Sequence, residues 1–251
     1  MKDARTPVVL LHGVGLDNSM WEALTARLAA HGREVMPLEL PGHGRRPALR
    51  TATTLAQMAD DVAARLPARA HLAGFSLGAL VAQELALKVP ERVSSLICVS
   101  SVCQRTAKEA AAVRTRLDTA ASDFRASAEA ALLRWFPEPD AVPYGEVEKI
   151  RGVLLANDPV SYLHAYEVFA SGDRDIAALL PSLSVPTLAL TGSEDPGSTP
   201  EMTRRLARLV PGARSMIFQG ARHMLPIEQP EELARVITEF AAQAERTVTH
   251  A

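Results

Sequence analysis

The chain has 251 residues, 47% of them hydrophobic and 22% charged, with a formal net charge of −2. That length and apolar share suit one full α/β core with room for an inserted subdomain. The near-neutral balance, with no long run of either sign, argues against nucleic acid or an anionic membrane surface as a partner.

Residues Met1 to Pro7 lead directly into the apolar run Val8-Val9-Leu10-Leu11. No signal-peptide core precedes it, and no stretch is long enough to span a bilayer, so a cytoplasmic protein without a membrane partner is expected. Val8 to Leu11 and Glu34 to Leu38 read as strands, with a helix from Met20 to His31 between them. His71 to Phe75 and Ser94 to Ser100 are two more, separated by a helix that follows Ser76. Val185 to Thr191 and Arg214 to Phe218 are the last strands, separated by a helix from Pro200 to Leu209. A final helix runs from Pro230 to Gln243, and the tail to Ala251 is expected to fray. Strands alternating with helices predict a parallel sheet covered on both faces. Two cysteines, Cys98 and Cys103, make neither a disulfide framework nor a metal site.

The rhythm breaks between Gln104 and Leu183, where only helical segments are found. Thr106 to Ala121, Phe124 to Trp135, Tyr144 to Leu155 and Val160 to Ala170 are the expected helices, punctuated by Pro137, Pro139, Pro143 and Pro159. The domain reading is therefore a core of residues 1–103 and 184–251, with residues 104–183 as a helical cap inserted before the strand Val185 to Thr191. Such an insert lies over the C-terminal ends of the strands, where open α/β sheets bind ligands.

The chemistry centres on Gly74-Phe75-Ser76-Leu77-Gly78, between the strand ending at Phe75 and the helix after Ser76. A strand that turns sharply into a helix through G-x-S-x-G is a nucleophile elbow. Its glycines are needed because a side chain there would meet the neighbouring strand or helix. Serine is a poor nucleophile at its ordinary pKa and needs a base and an orienting acid. The base candidate is His223, in the loop after the strand Arg214 to Phe218. The acid candidate is Asp195, just past the strand Val185 to Thr191; adjacent Glu194 is the alternative, and Pro196 favours Asp195 by fixing the turn. His31, His43, His71 and His250 fit the base role less well by position. An acyl-transfer site also needs two donors on the oxyanion. The backbone N–H groups of Leu77 and of Val14, in Leu11-His12-Gly13-Val14-Gly15-Leu16, are the candidates. His12 is read as a structural residue bonding that loop's backbone.

Taken together these elements resemble the α/β-hydrolase superfamily. Leu40-Pro41-Gly42-His43-Gly44, Pro90-Glu91-Arg92-Val93 and the approach Glu228-Gln229-Pro230-Glu231 to the last helix are similar to family segments as well. The resemblance implies a mostly parallel central sheet flanked by helices, with the cap set before the acid-bearing strand. It also implies a triad in the chain order Ser76, Asp195, His223. Glu39, Arg45 and Arg46 around the Pro-Gly loop, and Ala79 after the elbow, depart from the family's usual residues. Within the superfamily, Arg134-Trp135-Phe136-Pro137 and Asn157-Asp158-Pro159-Val160-Ser161-Tyr162 resemble the cap of the 3-oxoadipate enol-lactonases, and the His12 to Asp17 segment also suits neighbouring small carboxylesterases.

The expected activity is hydrolysis of a small carboxylic ester or lactone through an acyl-enzyme, with no metal or organic cofactor, by a monomer or homodimer. Arg134, Trp135 and Tyr162, with His164 and Tyr166, are the cap candidates for the pocket, although aromatic residues at helical spacing more often form the cap's own core. Arg134 suits a substrate carboxylate by bidentate pairing, with Arg105 as the second choice. The rival readings are a C–C bond hydrolase of a ring-cleavage diketone, a lyase or cofactor-independent oxygenase, and a non-hydrolytic ligand-binding relative.

Overall fold

The computed structural model describes residues 6–138 and 142–249. The leader before Thr6, Pro139 and the tail end with His250 and Ala251 lie outside the described residues.

Six strands form one sheet: β1 (Val8–Leu11), β2 (Val35–Leu38), β3 (Ala70–Phe75), β4 (Val93–Val99), β5 (Thr187–Gly192) and β6 (Arg214–Phe218). Their spatial order is β2-β1-β3-β4-β5-β6, and every neighbouring pair is parallel. Alternation along β1 shows how the sheet is covered. Val9 and Leu11 enter one apolar cluster, Val8 and Leu10 the other. Helices α2 (Leu55–Ala63), α3 (Leu77–Lys88) and α8 (Pro200–Leu209) close the first through Met58, Val62, Leu80, Leu85 and Leu206. Helices α1 (Glu22–Ala30) and α10 (Pro230–Thr249) close the second through Leu24, Leu28, Leu233 and Ile237. Strands buried on both faces are rich in apolar residues, unbroken in β1 and interrupted by His71 in β3 and by Ser94-Ser95 in β4, which is why they are visible in the sequence. The edge strands β2 and β6 are more exposed.

Between β4 and β5 the regular elements among the described residues are all helices: α4 (Ala107–Ser122), α5 (Phe124–Trp135), α6 (Tyr144–Leu155) and α7 (Pro159–Ala177), followed by one short turn of 3₁₀ helix. Thr106, Asp123 and Asp158 start α4, α5 and α7 by accepting hydrogen bonds from the N–H groups of Glu109, Ala126 and Ser161. Helix α7 runs on to Ala177 rather than stopping at Ala170, because Gly172, Asp173 and Ile176 are buried and keep the helix packed. The last helix likewise extends beyond Gln243. A short helix, α9 (Leu225–Glu228), precedes α10.

Helix α2 is not among the expected elements. Its signals are in the sequence nonetheless: a capping box between Thr54 and Gln57, and buried Leu55, Met58, Ala59 and Val62 at helical spacing.

The strand order reverses direction between β1 and β3, since the chain leaves β1 toward β2 and leaves β3 toward β4. The loops after both strands therefore flank the switch point, where a parallel sheet opens a crevice.

Candidate active site

Ser76 sits at the end of β3 as the residue before α3, with φ +53° and ψ −113°. This is strained backbone for a residue with a Cβ. Its N–H donates to the Val99 carbonyl of β4 at 2.9 Å, and its own carbonyl accepts from Ala79 and Leu80 in the first turn of α3. The two elbow glycines make the turn possible by close approach. A Cβ on Gly74 would stand 2.2 Å from the Gly78 carbonyl oxygen, and one on Gly78 would stand 2.1 Å from the Leu11 carbonyl oxygen.

Asp195 lies past β5 and is buried. One carboxylate oxygen, Oδ1, accepts from the N–H groups of Gly197 (2.8 Å) and Ser198 (2.9 Å). The other, Oδ2, stands 2.7 Å from His223 Nδ1 and accepts from Thr191 Oγ1 at 3.1 Å. Burial alone would push this carboxyl up; the neighbouring His223 ring and the Ser198 and Gly197 N–H groups outweigh it and hold the pKa below the usual carboxylate range. Glu194, the alternative acid, pairs instead with Arg222 at 3.0 Å.

His223 is fixed from several sides. Its ring stacks on Trp135 (centroids 5.7 Å apart, 22° between planes) and tilts against Phe75 at 4.9 Å. Its backbone carbonyl accepts from Ser100 Oγ at 3.1 Å. Ser100 is another strained residue, with φ +48°, at the end of β4. The loop is also tied from α9, where the Glu228 carboxylate accepts from the Arg222 N–H at 2.6 Å. Gly192 lets the loops after β5 and β6 meet, because a Cβ there would lie 2.1 Å from the Ala221 carbonyl oxygen. As supports of the histidine, Ser100 and Trp135 carry no local signal in the sequence; glycine at a strand end is the hint for Gly192.

His12 is buried and holds the loop after β1. Its Nε2 accepts from the Leu40 N–H at 3.0 Å and its Nδ1 donates to the Gly13 carbonyl at 2.8 Å. Burial, reinforced by nearby His43, pushes its pKa down to about 3, so it is neutral. Val14 follows in the same loop.

Ser76, Asp195, His223 and Val14 line one cavity together with Arg134, Trp135 and Tyr162, so the structure brings these candidates together. Leu77, fully buried, follows Ser76 as the first residue of α3. The cavity itself measures about 100 Å³ and opens to solvent. Tyr166 lines it too, as do Arg116, Thr119, Ser127 and Phe169, which the sequence did not single out. Tyr162 and Tyr166 also belong to the core cluster, so they serve both packing and lining. His164 is half-buried and does not line the cavity. Arg105, expected as the second choice for a substrate carboxylate, is committed elsewhere. Its guanidinium pairs with buried Asp173 at 2.6 Å and donates to the carbonyls of Phe169 and Ala170.

A family profile described as the alpha/beta hydrolase family matches residues 8–236. The chain is 30% identical to (E)-2-((N-methylformamido)methylene)succinate hydrolase of Acinetobacter baylyi over 236 residues, which cover 90% of this chain and 87% of that protein. It is 32% identical to pimeloyl-acyl-carrier-protein methyl ester esterase of Aeromonas salmonicida over 243 residues, covering 93% of this chain and 94% of that one. Among solved structures, the enol-lactonase of Burkholderia xenovorans superposes with a TM-score of 0.84 at 27% identity, covering 96% of this chain and 94% of that one.

Proposed function

The chain belongs to the alpha/beta hydrolase family, and from that premise we propose that it hydrolyses a small carboxylic ester or lactone through Ser76, His223 and Asp195. The observation that carries this reading is the His223–Asp195 hydrogen bond of 2.7 Å opening on the same cavity as the strained Ser76 elbow.

The chemistry follows from that geometry. Asp195 engages Nδ1, so Nε2 is the nitrogen left to take the Ser76 proton as Oγ attacks the carbonyl carbon. The oxygen of the tetrahedral intermediate takes the negative charge, and the N–H groups of Leu77 and Val14 hold it. His223 then gives the proton to the departing alkoxide, or to the ring oxygen of a lactone, leaving an acyl-Ser76 ester. Water attacks that ester after giving a proton to His223, and release of the acid returns the proton to Ser76. Asp195 fixes the tautomer and stabilises the imidazolium. Residues 104–183 act as the cap that closes the cavity, with Arg134, Trp135 and Tyr162 as its substrate-contacting side chains.

The names of the relatives support this breadth: a methyl ester esterase, a lactonase and a hydrolase of a substituted succinate. The test is steady-state release of p-nitrophenol from a short-chain p-nitrophenyl ester, with Ser76→Ala in parallel. We expect turnover that falls by about 10⁴-fold or more in the variant. Equal rates in the two proteins would overturn the reading. Cleavage of a vinylogous diketone without cleavage of esters would select a C–C hydrolase instead.

A further inference from the structure

The cavity is lined by two positive charges and one carboxylate, Asp195. Arg116 on α4 and Arg134 on α5 both line it. Among the described residues neither pairs with a carboxylate. Other cap arginines do: Arg105 with Asp173, Arg114 with Glu167, and Arg151 with Glu129 and Glu148. Arg134 donates to the Ala130 carbonyl of its own helix, at 3.3 Å. Burial, and then the charge of Arg116, holds the Arg134 guanidinium below its ordinary range. Asp195, the acid that lines the same cavity, is already engaged by His223 and by two backbone N–H groups.

Two like charges facing one half-closed space cost free energy in the empty protein. An anion entering that space recovers it, and aromatic walls strengthen the attraction by excluding water. Trp135, Tyr162, Tyr166 and Phe169 supply such walls. A guanidinium presents paired N–H donors that match the two oxygens of a carboxylate.

We propose that Arg116 and Arg134 form an anion-binding end of this cavity, and that the ester or lactone cleaved here carries a carboxylate on its acyl chain. This rests on the hydrolase reading above and names its substrate class. Arg116 is the added specificity residue: it sits on a different helix from Arg134, so the carboxylate is held between α4 and α5 while the reacting carbonyl lies at Ser76.

The experiment compares p-nitrophenyl hemisuccinate with p-nitrophenyl butyrate, which differ in the terminal charge. The wild-type protein is expected to favour the hemisuccinate in kcat/KM. Arg116→Ala and Arg134→Ala are each expected to lower that preference about tenfold, with Arg→Lys at either position keeping part of it. A wild-type ratio near one, or a ratio untouched by both alanine variants, overturns the proposal. A second arm does not need turnover. Glutarate is expected to raise the Tm of the Ser76→Ala protein, and the rise is expected to vanish when Arg116→Ala and Arg134→Ala are added. Inorganic phosphate at the same concentration is expected to protect less; equal protection would overturn the carboxylate assignment. If no ester is cleaved at all, the hydrolase reading fails, while the glutarate arm still decides the anion site.

Discussion

Asp195 keeps a negative charge where burial opposes it, and the two oxygens do so by different means. Oδ1 is held by the Gly197 and Ser198 N–H groups, Oδ2 by His223 and Thr191. An asparagine in this place has one natural orientation. Its carbonyl oxygen takes the two backbone donors, so its NH₂ group points at His223 Nδ1. That nitrogen must then accept, the ring proton moves to Nε2, and Nε2 can no longer take a proton from Ser76. Asp195→Asn is therefore expected to lower kcat by about 10³- to 10⁴-fold with KM little changed, in a protein whose far-ultraviolet circular dichroism is unaltered. A variant within tenfold of wild type would remove Asp195 from the triad. The same carboxylate has a stability consequence of definite sign. Its folded pKa is depressed, so its contribution is present above about pH 4, the unfolded value, and is lost as pH falls through the lower folded value.

The elbow and the start of α2 are both helix starts, yet they depend on different physics. At the elbow the chain passes so close to β1 that a methyl group on Gly78 would meet the Leu11 and His12 carbonyl oxygens at 2.1 and 2.6 Å. Backbone carbonyls of a central strand cannot yield, so Gly78→Ala is expected to abolish both soluble expression and ester cleavage. At α2, Thr54 and Gln57 only exchange capping hydrogen bonds on an exposed surface. Thr54→Ala is expected to cost about 1 kcal/mol and to leave ester cleavage intact. Soluble yield and p-nitrophenyl ester turnover of both variants, with urea unfolding of Thr54→Ala, check the contrast; a soluble, active Gly78→Ala protein would contradict the close approach. The same contrast explains what the sequence makes legible. Gly74, Ser76 and Gly78 announce themselves because a tight turn tolerates few residues. The buried strands announce themselves by short apolar stretches, such as Val8 to Leu11 in β1 and Leu96 to Val99 in β4. Helix α2 carried its signal in Thr54, Gln57 and the Leu55-Met58-Val62 spacing. The supports of His223 are of another kind. Trp135 reaches it from α5, Ser100 from the end of β4 and Glu228 from α9, and no local spacing encodes which of these elements meet. Arg105 shows the converse: its type suits a substrate carboxylate, but Asp173, 68 positions along the chain, had already claimed it.

Across the whole molecule, the loops that shape the site rest on histidines that the fold keeps neutral. His12 and His43 meet edge to face, with centroids 5.0 Å apart, beneath the loops after β1 and β2. Burial pushes His12 down to about 3 and His43 down to about 4. His71 is lowered as well, by burial first, with the Glu245 carboxylate pulling the other way. In the unfolded chain these rings take up protons near pH 6.5. Between that value and their folded values, the unfolded state binds more protons than the native one, so stability is lost as pH falls. Above about pH 6.5 both states are neutral and the contribution vanishes. Each fully counted histidine adds a slope of up to about 1.4 kcal/mol per pH unit. Denaturant unfolding at pH 7, 6, 5 and 4.5 is therefore expected to show stability nearly flat at the top of the range and falling steeply below pH 6. His43→Gln, which retains a donor for the Pro41 carbonyl that His43 Nδ1 now engages at 2.9 Å, is expected to make that fall shallower by up to one such increment. An identical slope in the variant would show that His43 takes up its proton without unfolding. The loop after β2 would then adapt to acid rather than yield to it.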